Sequence, residues 1–142
     1  MNEESVVDPI EIYAELRGET LIITPLNSEI TFKKQQQFLK SIKDAIGYEK
    51  HDVLLDMKNV QIIDSFSLGT LIAALKFVRA YGGEMTVSCL SPQIDELFGL
   101  LRFHKIFKVY DSVEAALAAF DSGEAGDGLG VIQYLNIHKH TI

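Results

Sequence analysis

The feature that most constrains this fold is Val53-Leu54-Leu55, three branched apolar residues in a row inside Asp52–Met57. A strand with one wet face alternates apolar and polar positions. A strand without polar interruption is covered on both faces, as happens beneath crossover helices. Both flanks supply such helices. Upstream, Phe38, Ile42, Ala45 and Ile46, with Leu39 beside them, recur at helical spacing from about Thr31 to Ile46. Asn27 or Ser28 is the expected cap and Gly47 the expected stop. Downstream, Leu68, Leu71, Ile72, Leu75 and Val78 mark a long helix from Asp64-Ser65 to about Tyr81, closed by Gly82-Gly83.

The same logic extends in both directions. Ile10, Ile12, Ala14 and Leu16 alternate as a strand, and Arg17-Gly18-Glu19 links tightly to a second strand, Thr20 to Thr24. Pro25 stops that strand because it has no N–H for the ladder. Glu84–Leu90 reads as another strand. Ser91-Pro92 then opens a helix with face Ile94, Leu97, Phe98 and Leu101. Ile106–Tyr110 is a further strand, and Asp111 or Ser112 caps a last helix with stripe Val113, Ala116, Leu117 and Phe120. Alternating strands and helices predict an α/β single domain, a mixed sheet of four to five strands with helices packed against it. With 142 residues there is room for one ordinary domain, expected over residues 10–120. Residues 1–9 read as a loose polar N-terminus. Residues 121–142 read as a Gly-rich linker, 122–130, and a tail containing Val131–Ile137 (VIQYLNI). That apolar segment is open to three readings: addition to a sheet edge, extended binding to a partner, or disorder.

The formal net charge is −7, and it belongs to the ends. Residues 1–20 carry six acidic side chains against Arg17, and residues 121–142 carry three against Lys139, whereas residues 21–120 balance. Such a charge distribution offers no basic field for a nucleic acid backbone or an anionic membrane. Lys33, Lys34, Lys40 and Lys43 read as a solvated helix face. One cysteine, Cys89, cannot form an internal disulfide, which points to a reducing compartment. It sits in an apparent apolar strand and reads as a buried, inert thiol. No apolar run approaches the ~20 residues of a membrane span, and the acidic start is unlike a signal peptide. The expected setting is therefore cytoplasmic.

Chemistry-bearing motifs are sparse. There is no phosphate loop and no dinucleotide-binding glycine fingerprint, so no cofactor is expected. His138 and His140 lie two apart without a carboxylate or cysteine cluster, and His51 and His104 are isolated, so no metal site is expected. No acid/base or nucleophile constellation suggests an enzyme. Asp64-Ser65-Phe66-Ser67-Leu68-Gly69, between a buried strand and a long helix, stands apart. Ser65 reads as the helix N-cap, a role worth ~1 kcal/mol. It also reads as a phosphorylatable switch, placing up to ~2 negative charges on a surface that a partner must cover.

The run from Asp52 to Phe120 resembles a STAS domain, and most of all the bacterial anti-sigma factor antagonists. The family's Val-x-Leu-Asp-Leu corresponds to Val53–Met57, its Asp-Ser-Ser/Thr-Gly-Leu-Gly to Asp64–Gly69, and its Gly-Gly to Gly82-Gly83. Its Ser-Pro-x-Val matches Ser91–Ile94 and its Ser-x-x-x-Ala-Leu matches Ser112–Leu117. The resemblance implies partner switching. The unphosphorylated antagonist binds a serine kinase, an ATPase of histidine-kinase type that is also the anti-sigma factor, and so frees a sigma factor. The kinase phosphorylates the antagonist and the complex falls apart, and a metal-dependent, PP2C-type serine phosphatase resets it. The resemblance places the phosphoserine at Ser65 and partner contacts at Asp64, Phe66, Ser67 and Ser28. Phe66 and Ser67 replace the usual Ser/Thr and Gly, and Ser28 stands where the family has an aspartate. Other roles compatible with a STAS domain are a scaffold subunit of a stressosome-like or lipid-transport complex, or a small-molecule or nucleotide sensor.

Overall fold

The computed structural model describes residues 9–123; residues 1–8 and 124–142, with most of the expected linker and all of Val131–Ile137, lie outside the described residues. Strand β1 (Ile12–Arg17) turns through Gly18-Glu19 into β2 (Thr20–Pro25). A two-residue strand β3 (Glu29–Ile30) and a 3-10 turn (Phe32–Lys34) precede helix α1 (Gln35–Ile46). Next come β4 (Asp52–Asp56), β5 (Ile62–Ile63) and α2 (Ser65–Ala80). The chain continues with β6 (Met85–Ser88), α3 (Pro92–Leu100), a second 3-10 turn (Phe103–Lys105), β7 (Val109–Tyr110) and α4 (Val113–Asp121).

The main sheet has the order β1-β2-β4-β6-β7. β1 is antiparallel to β2 and the remaining pairs are parallel, so the sheet is mixed as expected, with five strands. β3 and β5 pair separately, Glu29 with Ile62 and Ile30 with Ile63. The apolar run has its explanation in the two layers. Val53 and Leu55 face the main core, built from Phe38, Ile42 and Ile46 of α1 and Leu68, Leu71, Leu75 and Val78 of α2. Leu54 faces the other way, packing with Ile22 and Ala116 beneath α4. All three are fully buried, each contributing roughly 1.5–3 kcal/mol of transfer free energy.

Gly83 lies where β4 and β6 begin. A Cβ built on it would stand 1.8 Å from the carbonyl oxygen of His51. That close approach lets Val53 N–H donate to the Glu84 carbonyl at 2.8 Å and Glu84 N–H donate to Asp52 Oδ1 at 3.0 Å. The Arg79–Glu84 ion pair closes the same corner.

Several boundaries differ from the expected ones. Helix α1 starts at Gln35, not Thr31, and neither Asn27 nor Ser28 caps it. The Asn27 side chain instead accepts from Glu11 N–H at 2.9 Å and donates to the Pro9 carbonyl at 2.8 Å, tying the chain entry to the end of β2. The last strand shrinks to Val109–Tyr110, because Phe103 and the fully buried Phe107 are drawn into an aromatic cluster with Phe98. Leu101 follows the end of α3 and is 40% exposed rather than core. Cys89 is outside β6, in the left-handed region at φ 63°, and half-buried. Burial still pushes its thiol above the ordinary range, with a Ser88 hydrogen bond opposing, so thiolate is scarce at neutral pH.

Candidate functional site

The start of α2 is organised by one carboxylate. Asp64 has an extended backbone and is the N-cap, with Oδ1 accepting from Ser67 N–H at 2.8 Å. Its Oδ2 accepts from Phe32 N–H at 2.8 Å, so the same side chain latches the helix to the 3-10 turn before α1. Its own N–H donates to the Ile30 carbonyl at 3.4 Å, continuing the β3–β5 pairing. A carboxylate suits this position because the helix N-terminus carries partial positive charge.

Capping therefore falls to Asp64 and not, as the sequence suggests, to Ser65. Ser65 is the first residue of the helix and is exposed. Its hydroxyl is free of capping duty, and Phe66 beside it is 67% exposed. The Phe66 ring meets Phe32, itself 56% exposed, at a centroid distance of 6.4 Å. Phe32 is a residue that sequence reasoning missed. It lies six positions before Phe38, off the 3.6-residue stripe, and an apolar side chain off the stripe is the signal that was available.

The other expected residues divide. Ser28 is exposed, and its carbonyl accepts from Gln61 N–H at 2.7 Å and Ile62 N–H at 3.1 Å, which places its loop against the strand leading into Asp64. Ser67, expected among the partner-facing residues, is fully buried, and its Oγ pairs with no group among the described residues. It faces inward because it stands four residues before Leu71, on the core stripe of α2. No three His, Cys, Asp or Glu side chains among the described residues are grouped to hold a metal ion, and His138 and His140 lie outside those residues. No described helix is long and apolar enough to cross a membrane.

Asp64→Ala tests the double latch. It removes an N-cap and the acceptor for Phe32 N–H, so we expect a loss of about 1–3 kcal/mol in urea unfolding. Asp64→Asn, which keeps one acceptor oxygen, should lose less than half of that. Equal losses for the two variants would contradict the latch.

The family model for the STAS domain matches residues 12–116. The chain belongs to the STAS domain family. A Thermotoga neapolitana protein, provisionally named an anti-sigma factor antagonist, is 30% identical over 102 residues, covering 70% of this chain and 88% of the relative. The anti-sigma F factor antagonist of Paenibacillus polymyxa is 26% identical over 102 residues, covering 71% and 87%. Among solved structures, the unphosphorylated form of the anti-sigma factor antagonist SpoIIAA superposes with a TM-score of 0.56 over 80% of this chain and 99% of that one. At 18% identity that last likeness is one of fold. This STAS chain thus places Ser65 at the head of α2, beside a β3–β5 ribbon and under an exposed Phe32–Phe66 pair.

Proposed function

We propose that this protein is an anti-sigma factor antagonist that works by partner switching at Ser65, within a domain spanning about residues 10–120. The carrying observation is the division of labour at the head of α2: Asp64 caps the helix, and Ser65 is exposed and does not serve as the cap. The names of the Thermotoga and Paenibacillus relatives support the role.

In this reading the unphosphorylated surface around Ser65 is covered by an anti-sigma serine kinase, and the sigma factor is released. Asp64, Phe66 and Ser28 belong to the covered surface; Ser67 acts from beneath it, as part of the core. Phosphate on Ser65 adds roughly 1.5–2 negative charges. The Asp64 carboxylate already takes the Ser67 N–H, so the phosphate stands beside a like charge at a helix end whose cap is filled. Covering that pair without a basic counterpart costs several kcal/mol, and the complex separates. A metal-dependent serine phosphatase restores the hydroxyl. The protein itself is a substrate and a binder, acting in the cytoplasm, with no catalysis of its own.

The test is release of sigma factor from its complex with the cognate kinase. Wild-type protein should displace it and the Ser65→Glu variant should not. Equal displacement by both, or by neither, overturns the reading.

A further inference from the structure

The first turn of α2 runs against the polarity of the fold. Among the described residues, Phe66 is 67% exposed, whereas Ser67 beside it is fully buried with an Oγ that pairs with no group. Stability of the domain alone favours the reverse, because an outward phenyl forgoes burial and an unpaired inward hydroxyl costs free energy. A local rule broken without a gain to the fold marks a functional position. Phe32 repeats the pattern. It is 56% exposed, in a 3-10 turn that buries none of its residues. Ile62, two residues before Asp64, adds a third apolar side chain at 46% exposure. Contiguous apolar surface of this kind is a mark of an interaction site.

The two rings are held in place within the free domain. Phe32 N–H donates to Asp64 Oδ2 at 2.8 Å, and Lys34 N–H closes the 3-10 turn on the Thr31 carbonyl at 2.8 Å. Asp64 Oδ1 fixes the first turn of α2, so one carboxylate sets the backbone beneath both rings. The rings are tilted by 59° at a centroid distance of 6.4 Å, within the range of a favourable aromatic contact. Aromatic side chains already in contact lose little conformational freedom when a partner covers them. The charge around them indicates the partner's chemistry. The segment from Glu29 to Gln35 carries Lys33 and Lys34 against Glu29 alone. Neither lysine belongs to an ion pair among the described residues. The complementary surface is an apolar seat with an acidic rim.

We propose that Phe32 and Phe66 form one aromatic anchor that enters an apolar, acid-rimmed pocket on the anti-sigma kinase. The proposal rests on the reading that a kinase covers the head of α2. It adds to that surface Phe32, Lys33 and Lys34, which come from the far side of α1 in sequence.

Calorimetric titration of full-length variants with the cognate kinase and a nucleotide tests it. Phe32→Ala and Phe66→Ala should each weaken binding by about twentyfold or more, the size expected of an interface anchor. Both rings are exposed, so the urea midpoints should stay close to that of wild type. Because the rings touch, Phe32→Ala with Phe66→Ala should lose much less than the product of the two single losses. Lys33→Ala with Lys34→Ala should bind with a shallower salt dependence than wild type. A Phe32→Ala protein that binds within about threefold of wild type overturns the anchor, as does a double loss equal to the product. Ser65→Glu, run alongside, separates the two ideas. Loss with Ser65→Glu and none with Phe32→Ala overturns the anchor and leaves the reading of Ser65 standing; loss with Phe32→Ala and none with Ser65→Glu does the opposite. A dimer mass for the free wild-type protein in light scattering that becomes monomeric in Phe32→Ala assigns the pair to a second copy of this chain and overturns the proposal.

Discussion

The Ser65→Glu protein will bind its cognate anti-sigma kinase at least about a hundredfold more weakly than wild type, while Ser65→Ala will bind as wild type does. The size follows from burial. Ser65 is exposed and lies beside the exposed Phe32–Phe66 pair, a surface that a partner must dehydrate. Burying an unpaired carboxylate costs about 3–5 kcal/mol, and every 1.4 kcal/mol is about a factor of ten. The neighbouring Asp64 carboxylate, which accepts from Ser67 N–H and Phe32 N–H, adds a like charge beside it. The variant should fold normally. An acidic side chain in the first helical turn is favourable or neutral, by about 0.5 kcal/mol, so its urea midpoint should match wild type. Calorimetric titration with the kinase and a nucleotide measures the affinity. A change below about fivefold in a correctly folded Ser65→Glu protein would mean that the partner does not cover Ser65.

Gly83→Ala will be the costliest small substitution. The added methyl would lie 1.8 Å from the His51 carbonyl oxygen and 2.7 Å from its carbon, both backbone atoms at the entry to β4. Relief requires β4 and β6 to separate at their first rung, where Val53 N–H meets the Glu84 carbonyl. We expect a loss of about 3 kcal/mol or more, of the order found for overpacked cores. Gly82→Ala is the control. Its φ of 91° is strained for alanine, but the methyl would meet Lys50 side-chain atoms at 3.7 Å, which can move. About 1 kcal/mol is expected there. Urea unfolding with matched m-values reads both. A Gly83→Ala protein within about 0.5 kcal/mol of wild type would contradict the close approach.

The sheet and its helices were legible because burial on two faces leaves an uninterrupted mark such as Val53-Leu54-Leu55, and burial on one helix face leaves the Leu68, Leu71, Leu75, Val78 stripe. Ser91 and Ser112 were legible as caps, and their hydroxyls accept from Ile94 N–H and Ala115 N–H. The β3–β5 ribbon was not, since two residues per strand are too few to show a period. Asn27 has a physical reason for its other role: the side chain that caps a helix also ties loops, and here it ties the Pro9–Glu11 segment before β1 to the end of β2. Asp64 and Ser65 are both good caps by residue type. The choice between them was made by the second bond, from Phe32, 32 residues away in sequence. Ser67 needed no distant contact; its spacing of four from Leu71 already put it inside.

The most direct measurement of the central claim is phosphosite mapping. The full-length protein would be incubated with its cognate anti-sigma kinase and ATP, digested and sequenced by mass spectrometry. The predicted result is a single phosphate on Ser65 and dissociation of the complex as it accumulates. A phosphate elsewhere, or none while the kinase is shown to bind, would contradict it.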